Sequence, residues 1–100
     1  MSQPQWTFTF TPHWLTVTSK LEPSIYKKLE IALRNMARLG PRYRGLNSHP
    51  IQGVSDSRGN TIWVSYLDAR VRFTWTYTKD KRFDITLRNC GTHDPTEENP

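Results

Sequence analysis

Histidine, arginine and aspartate recur in the second half of the chain in a pattern that suits phosphate chemistry. Asn89-Cys90-Gly91-Thr92-His93-Asp94 sets a histidine directly before a carboxylate, and Arg70, Arg72 and Arg88 stand in neighbouring extended runs. An imidazole takes or gives a proton near neutral pH, because its unperturbed pKa is about 6.5. A guanidinium keeps its charge and offers a planar fork of donors to phosphate. Together they fit RNA cleavage without metal, in which the ribose 2′-hydroxyl attacks the adjacent phosphorus and the 5′-oxygen leaves. His93 is the candidate general acid or base, and Asp94 would orient it or act in its own right. His49, held extended by Pro50, is a second proton carrier, a phosphate ligand, or equally an ordinary loop histidine. On residue chemistry alone a surface histidine capping a strand end is the commoner reading of His93. The arginines alone would also fit a basic sheet face that only binds.

Other chemistries fit less well. His13, His49 and His93 are isolated from one another, no helix carries paired ligands at metal spacing, and no glycine loop cradles a phosphate, so no metal or cofactor is expected. Trp63, Tyr66 and Tyr43 could stack on unpaired bases, but sheet aromatics are mostly core, and of the three only Tyr43, next to Arg44, sits in an evident loop.

The elements that must position these groups follow from periodicity. Trp6, Phe8 and Phe10 alternate with threonine, which predicts a strand over 6–10. Thr11-Pro12 is a helix start, and a short helix is expected to about Lys20, weakened by β-branched Thr16, Val17 and Thr18. Ile25, Leu29, Ala32, Leu33, Met36 and Leu39 recur at helical spacing from Pro23 to Leu39, with Lys27, Lys28, Arg34 and Arg38 outward and Gly40-Pro41 as a stop. Arg42 to Asn60 reads as a long loop with a short extended piece near Pro50 to Val54. Strands are expected at Thr61–Leu67, Val71–Tyr77 and Arg82–Cys90.

Alternation puts Val71, Phe73, Trp75 and Tyr77 on one side and Arg70, Arg72, Thr74 and Thr76 on the other. In the last strand Phe83, Ile85 and Leu87 oppose Asp84, Thr86 and Arg88. The fold class is therefore α+β, a small mainly antiparallel sheet of about four strands with a helical hairpin on one face. Its expected core contains Trp6, Phe8, Leu29, Leu33, Met36, Phe73, Trp75, Ile85 and Leu87.

One hundred residues suit one domain, taken as 1–94, followed by an acidic, frayed tail at 95–100. The formal charge of +5 favours a polyanionic partner, nucleic acid being the commonest. One cysteine, Cys90, excludes an internal disulfide and fits a reducing cytoplasm, and no stretch is long and apolar enough to suggest export or a membrane span.

Read as a whole, the chain resembles the RelE/ParE toxin superfamily, and more narrowly its RNA-cleaving branch. The likeness rests on the short first strand and helical pair, on Leu46-Asn47-Ser48-His49-Pro50-Ile51-Gln52-Gly53, on Asp68-Ala69-Arg70-Val71-Arg72-Phe73, and on Gly91-Thr92-His93-Asp94. It spans Trp6 to Asp94. Where many relatives follow the His-Asp pair with an aromatic residue, this chain continues Pro95-Thr96-Glu97-Glu98. The resemblance implies an antitoxin-controlled endoribonuclease that cuts messenger RNA, expected on the ribosome. It favours His93 as a catalytic residue and Arg70 as the phosphate ligand, with Arg72, Arg88, Tyr43 and Arg44 binding RNA. A cognate antitoxin would cover the basic face, at Arg70, Arg72 or the Lys27-Lys28 helix. Two other functions stay open: the branch of the same fold that inhibits DNA gyrase by protein binding, and plain RNA binding.

Overall fold

The computed structural model describes residues 5–92, 96, 99 and 100, and in it the aromatic–threonine alternation near the start forms β1, Thr7–Phe10. Two helices follow, α1 at Pro12–Thr18 and α2 at Pro23–Leu39, then a single 3-10 turn at Arg44–Leu46. Four more strands complete the sheet: β2 at His49–Ser55, β3 at Thr61–Tyr66, β4 at Val71–Tyr77 and β5 at Asp84–Thr92. Their order is β1-β5-β4-β3-β2, with β1 parallel to β5 and every other pair antiparallel. The α+β class holds, with five strands where about four were expected. No helix among the described residues is long and apolar enough to cross a membrane.

The added strand is β2, from the stretch read as a loop. Pro50 lacks a backbone N–H and Gly53 has a φ of 74°, both features that argue against a central strand. At a sheet edge they are tolerated, and the pairing with β3 shifts register between Pro50 and Ser55. The last strand begins at Asp84 instead of Arg82 because Asp80 and Phe83 take positive φ values of 63° and 56°, which lengthens the turn. It also runs past Cys90 to Thr92.

Helix α2 keeps its expected limits. Pro23 opens it, and the Gly40 N–H donates to the Met36 carbonyl at 2.9 Å with φ at 95°, although ψ of 160° is extended and not left-handed helical. Helix α1 stops at Thr18, short of Lys20. The Thr18 hydroxyl donates back to the Trp14 carbonyl at 2.7 Å, a local bond that competes with the helix ladder.

One core lies between the helices and one face of the sheet. It holds Trp14, Leu29, Ala32, Met36, Leu46, Phe73, Trp75, Ile85, Leu87 and Cys90, with Trp6, Phe8 and Leu33 half-buried at its margin. Trp14 is absent from the core expected by sequence, yet it is only 2% exposed and meets Phe73 edge-on at 6.1 Å. Cys90 arrives there by a shift of phase: Trp75 pairs with Leu87 but Thr74 pairs with Asn89, so Arg88 is an extra residue. That bulge turns Asn89 to the polar side and Cys90 inward, where burial pushes its thiol up to about 12. Trp75 buries its indole N–H without loss. It donates to Ser65 Oγ at 2.8 Å, Ser65 and Ser48 hydroxyls lie 2.6 Å apart, and Ser48 Oγ donates to the Pro41 carbonyl at 2.8 Å.

A buried carboxylate ties β1 to β5. Asp84, 1% exposed, accepts from the hydroxyls of Thr7, Thr9 and Thr78, and Lys81 Nζ lies 3.4 Å away. Burial opposes its ionisation, but the three hydroxyls and Lys81 outweigh it and hold the carboxyl below its ordinary value. A depressed folded pKa contributes stability that is full above the unfolded pKa of about 3.9 and is lost as pH falls through the folded value. Asp84→Asn is therefore expected to cost about 1–3 kcal/mol at neutral pH, with the gap to wild type closing below roughly pH 4. Urea unfolding of both proteins across pH checks this, and a gap constant down to pH 3 would contradict it.

Candidate nucleic-acid interface

The sheet's other face carries a row of three side chains drawn from three strands. His49 opens β2 opposite Val64 of β3, and Tyr66 closes β3 opposite Arg72 of β4. The His49 and Tyr66 rings lie 5.5 Å apart with planes 31° from parallel, and the Arg72 guanidinium sits 4.5 Å above the centre of the Tyr66 ring. Hydrogen bonds at the long end of the range join them: Arg72 Nη1 to Tyr66 Oη at 3.4 Å, and Tyr66 Oη to His49 Nε2 at 3.4 Å.

The far ring nitrogen fixes the proton. His49 Nδ1 faces the Asn47 carbonyl at 3.3 Å, and a carbonyl only accepts, so geometry assigns the proton to Nδ1. In the neutral ring Nε2 is then the acceptor that faces Tyr66 Oη. Asn47 presents its carbonyl from a left-handed conformation, φ 50°, just past the 3-10 turn. The row thus combines a basic nitrogen, an aromatic ring and a fixed cation, with His49 exposed and Tyr66 and Arg72 half-buried. An unpaired base and its phosphate would find a stacking surface and a charge there.

Arg72 also faces the end of β5. It pairs with Gly91, and Val71 pairs with Thr92, the residue before His93. His93 and Asp94, the residues on which catalysis was expected, lie outside the described residues.

The remaining candidates are dispersed. Arg70, expected beside Arg72, stands exposed in the turn before β4 and borders a cleft with Leu21, Glu22 and Ile25 on the helical side. Asp68 sets that turn: its Oδ1 accepts from the backbone N–H of Arg70 and of Val71 at 2.8 Å, and Oδ2 meets Lys28 Nζ at 3.0 Å. The Arg70 amide, then Lys28 and the Val71 amide, lower this carboxyl to about 2. Tyr43, expected to be free for stacking, is half-buried against the core, and Arg44 is exposed in the 3-10 turn. Arg88 is on the same face as Arg72 but nearer the β2–β3 turn, bordering a polar recess with Asp56, Arg58 and Lys79. His13 Nε2 lies 3.1 Å from Asn89 Oδ1. Among the described residues no three metal-ligating side chains come together.

Tyr66 is the member that sequence reasoning undervalued. The ring was assigned to the general stock of sheet aromatics, because Thr61–Leu67 shows no alternation that would set Tyr66 apart.

Solved structures share this architecture. The YoeB dimer from Staphylococcus aureus matches with a TM-score of 0.67 at 14% identity, covering 89% of this chain and 98% of that one. The archaeal RelE–RelB complex from Pyrococcus horikoshii OT3 gives 0.62 at 13% identity, over 90% and 97%. The RelBE2 toxin–antitoxin complex from Mycobacterium tuberculosis gives 0.63 at 16%, over 89% and 99%. The chain has the RelE/ParE-type toxin fold. At these identities the likeness is one of fold, and the sequence matches no family model and no curated protein. In the RelE-like sheet of this chain, the row His49, Tyr66 and Arg72 occupies the side away from the helices.

Proposed function

We propose that this RelE-like chain is the toxin of a toxin–antitoxin pair, a metal-independent endoribonuclease that cuts messenger RNA on the ribosome in the cytoplasm. The observation that carries the reading is the row His49–Tyr66–Arg72, lying one strand from the residue that precedes His93. Two of the similar structures are toxin–antitoxin complexes, which supports a cognate antitoxin as partner.

The reaction needs a base, an acid and a phosphate clamp. His49, as a neutral imidazole with its proton on Nδ1, suits removal of the 2′-hydroxyl proton through Nε2. As the 2′-oxygen bonds to phosphorus and the 5′-oxygen departs, His93 delivers a proton to the leaving oxygen, and Asp94 orients its ring. Arg72 stabilises the phosphorane, a role for charge held in place before the reaction. Arg88, on the same face as Arg72, extends the phosphate track. Tyr66, its ring between the His49 imidazole and the Arg72 guanidinium, holds the base and the clamp in position. The products carry a 2′,3′-cyclic phosphate and a 5′-hydroxyl.

The test is single-turnover cleavage of a message in the presence of a chelator, with and without translating ribosomes. Cleavage leaving a cyclic phosphate is expected in at least the ribosomal arm. No cleavage in either arm by folded protein would favour the gyrase-inhibiting or purely RNA-binding alternative.

A further inference from the structure

The polar face holds a second set of donors, and the chain's own backbone occupies it. Thr74 Oγ1 and Arg88 Nε converge on one oxygen, the Pro100 carbonyl, at 2.8 and 3.0 Å. Asn89 Nδ2 donates to the neighbouring Asn99 carbonyl at 2.9 Å. These donors are pre-set: Thr74 is fully buried, and Asn89 is fixed by its Oδ1, which accepts the Cys90 N–H at 2.8 Å. The tail read from composition as frayed is, at Thr96, Asn99 and Pro100, laid back on the sheet. Gly91 makes room for it, since a Cβ there would come within 2.9 Å of Thr96 Oγ1.

We propose that Thr74, Arg88 and Asn89 form a subsite for the phosphodiester oxygens of a bound RNA strand, and that the Asn99–Pro100 segment is a displaceable strap filling it. The proposal rests on the RNA reading above and adds its regulation. A cation and a hydroxyl meeting on one acceptor oxygen are the grouping that a phosphate oxygen takes, and the Pro100 oxygen takes the same two donors. Thr74 follows Arg72 by two residues on the same face, about 7 Å along the strand, so RNA held at Arg72 runs onto this subsite. Strap and RNA therefore compete for the same donors, and RNA affinity is reduced by the fraction of molecules in which the strap is open.

Deleting Asn99 and Pro100 tests this, because it empties the subsite while keeping Glu97 and Glu98. Binding of a short single-stranded RNA, followed by fluorescence anisotropy at fixed salt, is expected to tighten by about tenfold if the strap is closed roughly nine-tenths of the time. Exchange of the Arg88 Nε–H with solvent, followed by NMR, is expected to accelerate. In the deleted protein Thr74→Val is expected to weaken RNA binding again. Unchanged or weaker RNA binding on deletion overturns the strap, as does unchanged Arg88 exchange. Tighter binding with no cleavage by either protein keeps the strap and removes the nuclease.

Discussion

Phe73→Ala is expected to lower the stability of the fold by about 3–5 kcal/mol. Phe73 is fully buried in the middle of β4, edge-on to Trp14 of α1 and opposite Cys90 of β5. Removing its ring leaves a cavity with fixed walls, because β4 is hydrogen-bonded on both sides, to β3 and to β5. Backbone held in that way cannot collapse inward, so the cavity cost adds to the lost transfer energy of the ring. A domain of this size has about 5–15 kcal/mol in all, so much of its stability depends on this contact between α1 and the sheet. Urea unfolding checks it: the midpoint falls while the denaturant slope stays unchanged. A loss below about 1 kcal/mol would mean that the site relaxes and that the core is not centred there.

What the sequence disclosed depended on whether the deciding interaction was local. Helix α2 was legible to the residue because Pro23 and the apolar stripe lie within it and Gly40-Pro41 directly follows its last residue. The class of fold was legible for the same reason, since the last two strands of the meander each state their own alternation. Strand β2 was read only as a short extended piece near Pro50 to Val54 within a loop, because Pro50 and Gly53 speak against a strand and only its edge position makes them harmless. The bulge at Arg88 was hidden, as one extra residue leaves no mark in composition but reverses the faces of Asn89 and Cys90. Trp14 was missed because the β-branched residues of α1 obscured the Trp14, Val17, Thr18 stripe that faces the sheet.

The candidate site divides along the same line. His49 and Arg72 were named from residue type, but they stand 23 positions apart, with Tyr66 17 residues after His49 and 6 before Arg72. Strand pairing, not spacing, brings the three together. Arg70 followed the alternation on paper, yet the carboxylate of Asp68 captures its backbone N–H and turns the segment before the strand begins. The contacts of Asn99 and Pro100 were invisible for a further reason: their acceptors are backbone carbonyls, which every residue carries.

The second large effect concerns His93, whose role rests on the Gly91-Thr92-His93-Asp94 motif and on the pairing of Thr92 beside Arg72's neighbour Val71. General acid–base residues contribute about a hundredfold to ten-thousandfold, and the amide of glutamine keeps polarity while removing the transferable proton. RNA binding is expected to persist, because Arg72 and Arg88 supply the charge. The deciding measurement is single-turnover cleavage of a ribosome-bound message by wild type and by folded His93→Gln, in chelator, with RNA affinity measured alongside. A fall in rate of about a hundredfold or more at nearly unchanged affinity is the predicted result; equal rates, or a loss that follows affinity alone, would contradict a proton-transferring His93 and with it the nuclease mechanism.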